Sequence, residues 1–220
     1  MIPPPKSPKA RNRPAFSLIE MLAVAAIFAI LMAAGVSLLH GTGAQSRKAT
    51  SDLMINLIEQ ARTKAITSRS HVVLAIAEPA DFPTSDGRFQ VGLFRVDQWP
   101  DPATVPLTLK GEILNRWQSL DTGIILIGGE VNGVANPLDQ EKGTISYGDA
   151  KSRSIRVHLI AVNSRGGLDW PLDADPIALR IVEGRYQYGM AIGYRQGGQK
   201  RIAESRLKIG RISARPYPMD

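Results

Sequence analysis

Between Pro14 and Leu39 the chain carries a single charged side chain, Glu20, and from Met21 to Leu39 nineteen residues pass without any charge. Nothing else in the sequence constrains the fold as strongly. A helix of that length extends about 28 Å, close to the roughly 30 Å hydrocarbon thickness of a bilayer, so the run is long enough to cross a membrane once. Lys6, Lys9, Arg11 and Arg13 precede it, with no acid before Phe16. By the positive-inside bias those charges hold the N-terminus in the cytoplasm and send the bulk of the chain across. An ordinary secretory signal is the competing reading, with "LMAAGVS" as a possible cleavage site. The run exceeds the usual apolar core of about 7–15 residues, however, and a signal peptide has no use for Glu20.

A carboxylate at the centre of a membrane helix costs about 2.5–3.5 kcal/mol, and less near the interface. Such a group calls for a partner, yet no Lys, Arg or His lies between Arg13 and His40. A cation arises if the chain is cut just before Phe16. The new α-amino group would then head the apolar helix, with Glu20 as its fifth residue.

The stretch "AFSLIEM", with its basic leader and the apolar helix behind it, resembles the prepilin-type cleavage and methylation motif of type IV pilins and type II secretion pseudopilins. The resemblance implies that a prepilin peptidase cuts between Ala15 and Phe16 and methylates the new N-terminus at Phe16. Ala15 stands where the family usually has Gly, and Pro14 is a local departure. The family's glutamate falls on Glu20, which the resemblance pairs with the N-terminal amine of a neighbouring subunit during assembly. The implied partners are prepilin peptidase, other pilin or pseudopilin subunits, an inner-membrane assembly platform and membrane lipid. The implied location is the bacterial cytoplasmic membrane, crossed once, with the N-terminus cytoplasmic and the globular part periplasmic or in an extracellular filament.

Past the apolar run, Gly35, Gly41 and Gly43 form a weak zone, each lowering helix stability by about 1 kcal/mol relative to Ala. Beyond it "AQSRKATSDLMINLIEQARTKAITSRS" is amphipathic. Ala49, Leu53, Leu57, Ala61 and Ala65 recur every four residues, flanked by Met54, Ile58 and Ile66, and Lys48, Asp52, Asn56, Glu59 and Lys64 fill the polar positions. A helix running from Phe16 to about Ser68 would extend roughly 80 Å, which the pilin resemblance also implies. More narrowly, "SDLMINLIEQARTKAITSRSHVVLAIA" resembles the helix and first strand of minor pseudopilins of the H class.

After Ser70 the period changes. "HVVLAIA", "RFQVGLFRV", "GIILIG", "SIRVHLIAV", "IALRIV", "YQYGMAIGY" and "RLKIGRI" read as strands, separated by turn-rich segments such as "EPADFPTSDG", "GGEVNGVANPLDQ" and "NSRGGLDWPLDADP". The expected fold is α+β: a long N-terminal helix, half transmembrane and half amphipathic, packed on a mostly antiparallel sheet. The expected organisation is a cleaved leader over 1–15, the transmembrane and assembly half of the helix over 16–43, and a pilin-like globular domain over 44–220.

The formal charge of +7 invites an acidic partner, but the four leader residues account for much of it. Without them 23 basic residues face 20 acids, and nucleic acid is not the default partner. Seven basic residues and two acids between Arg195 and Asp220 concentrate positive charge at the C-terminal end. Arg206, Arg211 and Arg215 are the candidate phosphate contacts if the subunit binds DNA, against the plainer reading of a charged edge hairpin. The absence of cysteine removes disulfides, zinc–thiolate sites and cysteine nucleophiles. His40, His71 and His158 are dispersed without ligand spacing. Asp169, Asp173 and Asp175 read as one loop of oxygen ligands, but without the glycine and closing glutamate of an EF-hand. No cofactor, metal or catalytic site is expected. The chain reads as a structural assembly subunit rather than an enzyme, with a DNA-binding minor pilin and a signal-anchored domain that does not polymerise as the alternatives.

Overall fold

The computed structural model describes residues 19–29, 42–82, 86–101, 105–148, 153–172, 175–194 and 202–219. The chain divides into two units, Met1–Thr42 and Gly43–Asp220. In the first, residues 19–29 form a helix, α1. The proposed cleavage pair Ala15 and Phe16, the apolar residues 30–39 and His40 lie outside the described residues, as does the stretch that would join α1 to the next helix.

The second unit is α+β. It opens with α2 (Thr42–Ser68) and continues, among the described residues, through thirteen strands: β1 (His71–Ala77), β2 (Gln90–Val96), β3 (Thr108–Lys110), β4 (Glu112–Ile113), β5 (Gln118–Ser119), β6 (Ile124–Ile127), β7 (Gly143–Tyr147), β8 (Arg153–Val162), β9 (Leu168–Trp170), β10 (Ile177–Gln187), β11 (Met190–Gly193), β12 (Glu204–Ile209) and β13 (Pro216–Met219). Helix α2 stops because Arg69 adopts a left-handed conformation (φ 52°) and the Ser70 amide donates back to the Ala65 carbonyl at 3.3 Å. That bond closes a Schellman-type end and turns the chain straight into β1.

Where a single sheet is expected, there are two. An eight-stranded sheet runs β3-β7-β8-β1-β2-β4, with β5 on β2 and β9 on β8. A five-stranded sheet runs β11-β10-β12-β13, with β6 also paired to β10. All pairs are antiparallel except β3 with β7. Strand β1 is central and buried on both faces. Val72, Leu74 and Ile76 join the core formed with α2 and the second sheet, whereas Val73, Ala75 and Ala77 join a second core on the far side with Phe94, Val157 and Trp170. Each large aliphatic side chain so buried contributes about 1.5–3 kcal/mol of transfer free energy.

Helix α2 packs on this core through Thr50, Met54, Leu57, Ile58, Ala61 and Ala65, while Ala49 and Ile66 are exposed and Leu53 is half-buried. The spacing of four holds from Leu57 through Ala61 to Ala65 but fails at its N-terminal end, Ala49. Successive fourth residues rotate by about 40° around a 3.6-residue helix, so Ala49 and Ala65 end on nearly opposite faces. The buried stripe instead mixes steps of four with one of three, from Met54 to Leu57.

Segment "YQYGMAIGY", read as one strand, is the end of β10, a turn and β11. Tyr188 (φ 54°) and Gly189 (φ 76°) sit between the paired residues Gln187 and Met190, the positive-φ pair of a two-residue hairpin. Strands β3, β4, β5, β7, β9 and β13 were not expected as strands. β13 is the clearest case, since its Pro216 and Pro218 argue against a strand, yet it pairs only with β12 at the sheet edge, where an absent N–H can face outward.

Candidate functional site: the apolar N-terminal helix

Every residue of α1 from Ile19 to Ala29 is exposed. Ile19, Met21, Leu22, Ile27 and Phe28 each show more than half of their surface, and Val24 46%. A helix that is apolar all round is a helix meant for an apolar surrounding, because water does not tolerate a continuous surface of this kind. Among the described residues no helix is long and apolar enough to cross a membrane. The uncharged sequence continues beyond residue 29 to Leu39, outside those residues. Glu20 lies in the first described turn and shares its face with Val24 and Ile27, at helical spacings of four and seven. It is the one ionisable group of this surface.

The second unit holds a polar junction that sequence reading missed. Glu78, just after β1, accepts from Lys142 Nζ (2.9 Å) and from the Tyr186 hydroxyl (2.8 Å), and its other oxygen is 3.0 Å from His158 Nε2. Lys142 also bridges to Asp81 at 2.6 Å. Burial pushes the Glu78 carboxyl up, but the hydrogen bonds from His158, Lys142 and Tyr186 and the Lys142 charge outweigh it and hold the group at about 2. Burial alone would depress Lys142; its bonds to Asp81 and Glu78 raise it instead. Tyr186 is raised by burial and by its bond to the Glu78 carboxylate. His158 belongs to the first sheet and Tyr186 to the second, so one carboxylate ties the two together. Its partners lie 64 to 108 positions along the chain, which leaves no local signal.

The remaining candidate residues occupy separate places. His71 stacks on Trp99, with ring centroids 4.9 Å apart, and its Nε2 lies 2.7 Å from Asp169, which also accepts from Asn163. Asp169 is a strand residue of β9 rather than part of a loop with Asp175, and Asp173 lies outside the described residues. No group of three or more potential metal ligands occurs among the described residues. Arg206 is engaged by Glu204, which also binds Arg180 at 2.8 Å. Burial raises the Glu204 carboxyl, but the two arginines outweigh it and lower the group. Arg211 donates to the Pro171 carbonyl at 3.4 Å, and Arg215 is exposed.

Residues 10–36 match the family model of the prokaryotic N-terminal methylation motif. That span covers the end of the basic leader, the candidate cleavage pair, Glu20 and all of α1. No curated protein and no solved structure matches the chain. The motif, set on an exposed apolar helix, indicates a substrate of prepilin peptidase. The match supports a protein of the type IV pilin and pseudopilin type. The motif points to a structural subunit, not an enzyme, anchored in a bacterial inner membrane.

Proposed function

We propose that this chain is a pilin-like or pseudopilin subunit that is inserted in the cytoplasmic membrane, cut between Ala15 and Phe16, methylated at Phe16, and assembled through its N-terminal helix into a pilus or pseudopilus. The observation that carries the reading is the coincidence of the methylation motif over residues 10–36 with a helix whose large apolar side chains are all exposed. The leader over 1–15, the assembly half of the helix over 16–43 and the globular domain over 44–220 are the parts on which it acts. Within this class, the direct passage of α2 into β1 supports kinship with the minor, H-class subunits.

Glu20 selects the register of assembly. Before assembly its carboxyl group lies in or near the apolar phase, where an ionisable side chain is expensive. In a filament the charged amine of a neighbour's Phe16, at about 4 Å in a low dielectric, attracts the carboxylate several-fold more strongly than in water. A misregistered helix leaves that group unsatisfied. Glu20→Leu is therefore expected to insert and to be cut as the parent protein is, but to fail to cross-link with partner subunits in membranes. Glu20→Gln should fall between the two. Wild-type cross-linking by Glu20→Leu would remove the pairing role.

A further inference from the structure

Past Glu183 the second sheet narrows, among the described residues, to two strands. Pairing with β6 ends at Ile124 and Glu183, and pairing with β12 at Glu204 and Val182, whereas β10 and β11 remain paired from Gly184 and Gly193 to Gln187 and Met190. The two faces of this hairpin differ. Tyr186 and Ala191, opposite one another, pack toward the core, with Tyr186 edge-on to Phe89 and bonded to Glu78. The other face sets Ile192 beside Arg185 and Met190 beside Gln187. Tyr188 is 87% exposed, Met190 61%, Tyr194 45% and Ile192 39%. Edge strands are ordinarily protected by charge, yet residues 184–194 carry only Arg185 and no acid.

The direction of the hairpin is set within the second unit. Glu183 lies against Gly43 and pairs with Arg47 in the first turns of α2. At the other end of β10, Ile177 pairs with Ile209; two residues further the Arg211 carbonyl accepts from Leu168, next to Gly166, which lies against Ile66 and Arg62 of α2. Strand β10 therefore runs antiparallel to α2 and continues beyond the first turn of the helix. Four more residues carry it about 13 Å further. The hairpin thus extends past the N-terminal end of α2, the end at which the chain enters this unit.

We propose that the β10–β11 hairpin is a membrane-interface foot: Tyr188, Met190, Ile192 and Tyr194 rest in the headgroup layer of the bilayer that holds the N-terminal run, with Arg185 reaching lipid phosphate. The inference rests on reading that run as a membrane anchor. Tyrosines present an apolar ring and a polar hydroxyl, and arginine an apolar stem and a charged head, so both suit a layer that is half wet. A foot of this kind limits the tilt of the domain before assembly, and the same face is freed when the subunit leaves the bilayer.

The chain has no cysteine, so single replacements can be labelled cleanly in the full-length protein reconstituted in anionic vesicles. Met190→Cys reports the foot. Asp97→Cys, exposed after β2 and beside the β1 residue that follows the far end of α2, reports water. Ala26→Cys reports the anchor. With an environment-sensitive fluorophore at each site, headgroup-level nitroxide lipids should quench the Met190 label several-fold more than the Asp97 label. Equal quenching of the two, with Ala26 quenched by deep nitroxides, overturns the foot and leaves the anchor standing. A Met190 label shielded from an aqueous quencher but untouched by lipid nitroxides would assign the face to a protein neighbour and also overturn it. An unquenched Ala26 label removes the anchor and the foot together.

Discussion

The two α-helices among the described residues place their apolar side chains in opposite ways. Helix α1 is almost wholly apolar and fully exposed, whereas α2 is a mixed sequence that buries Met54, Leu57, Ile58, Ala61 and Ala65 almost completely. Hydropathy alone would assign the first helix to a core. The difference lies in where the apolar partner is found: α2 meets two sheets of its own unit, whereas the residues of α1 remain exposed. An apolar surface that the chain does not cover is one that lipid or other subunits must cover, which is the sense in which the methylation motif and the helix beneath it belong together.

The contrast can be broken from either side. Leu57→Ala removes a fully buried side chain between α2 and the sheets and should cost about 2–5 kcal/mol, read as a lowered thermal midpoint of the detergent-solubilised protein. If that midpoint does not move, α2 is not the structural helix argued for.

Glu78→Gln should come next. The folded-state pKa of Glu78 is depressed from 4.5 to about 2, so its contribution is fully present above pH 4.5 and is lost as the pH falls through 2. Allowing for its partial exposure, the parent protein should lose on the order of 2 kcal/mol across that window. The variant should start less stable at pH 7 and show a flatter acid limb. Parallel acid limbs in parent and variant would show that the junction between the sheets is not held by this carboxylate.

The smallest effect belongs to the helix with the strongest hydropathy. Leu22→Ala should change the stability read from the same thermal midpoint by no more than about 0.5 kcal/mol, since Leu22 is 62% exposed and lies outside the unit being melted. A loss comparable to that of Leu57→Ala would mean that α1 is part of the folded core.

What could be read in advance followed how local its cause was. Strand β1 coincides with "HVVLAIA" because a short apolar run containing Val72, Val73 and Ile76 and bounded by a helix end has few alternatives. The end of α2 was legible to within a residue or two for the same reason. The β10–β11 turn was not, because Tyr188 takes a left-handed conformation that its type disfavours, and only the pairing of the flanking strands imposes it. β13 was hidden by prolines that an edge tolerates. The Glu78 junction was hidden in a turn-rich segment, "EPADFPTSDG", since its meaning comes from Lys142, His158 and Tyr186 on distant strands. For the candidate site the balance is reversed. A basic leader, "AFSLIEM" and an uncharged span are all contiguous, so the motif could be read directly from the chain.

The central claim is that the chain is matured as a prepilin. The most direct test is the intact mass of the protein extracted from bacterial membranes in which prepilin peptidase is active. The account predicts a chain beginning at Phe16 and carrying one added methyl group at its N-terminus, with the uncut, unmethylated precursor accumulating when Ala15 is replaced by a bulky residue. An N-terminus near Ala34 or Ala44 would establish an ordinary signal peptide and contradict it.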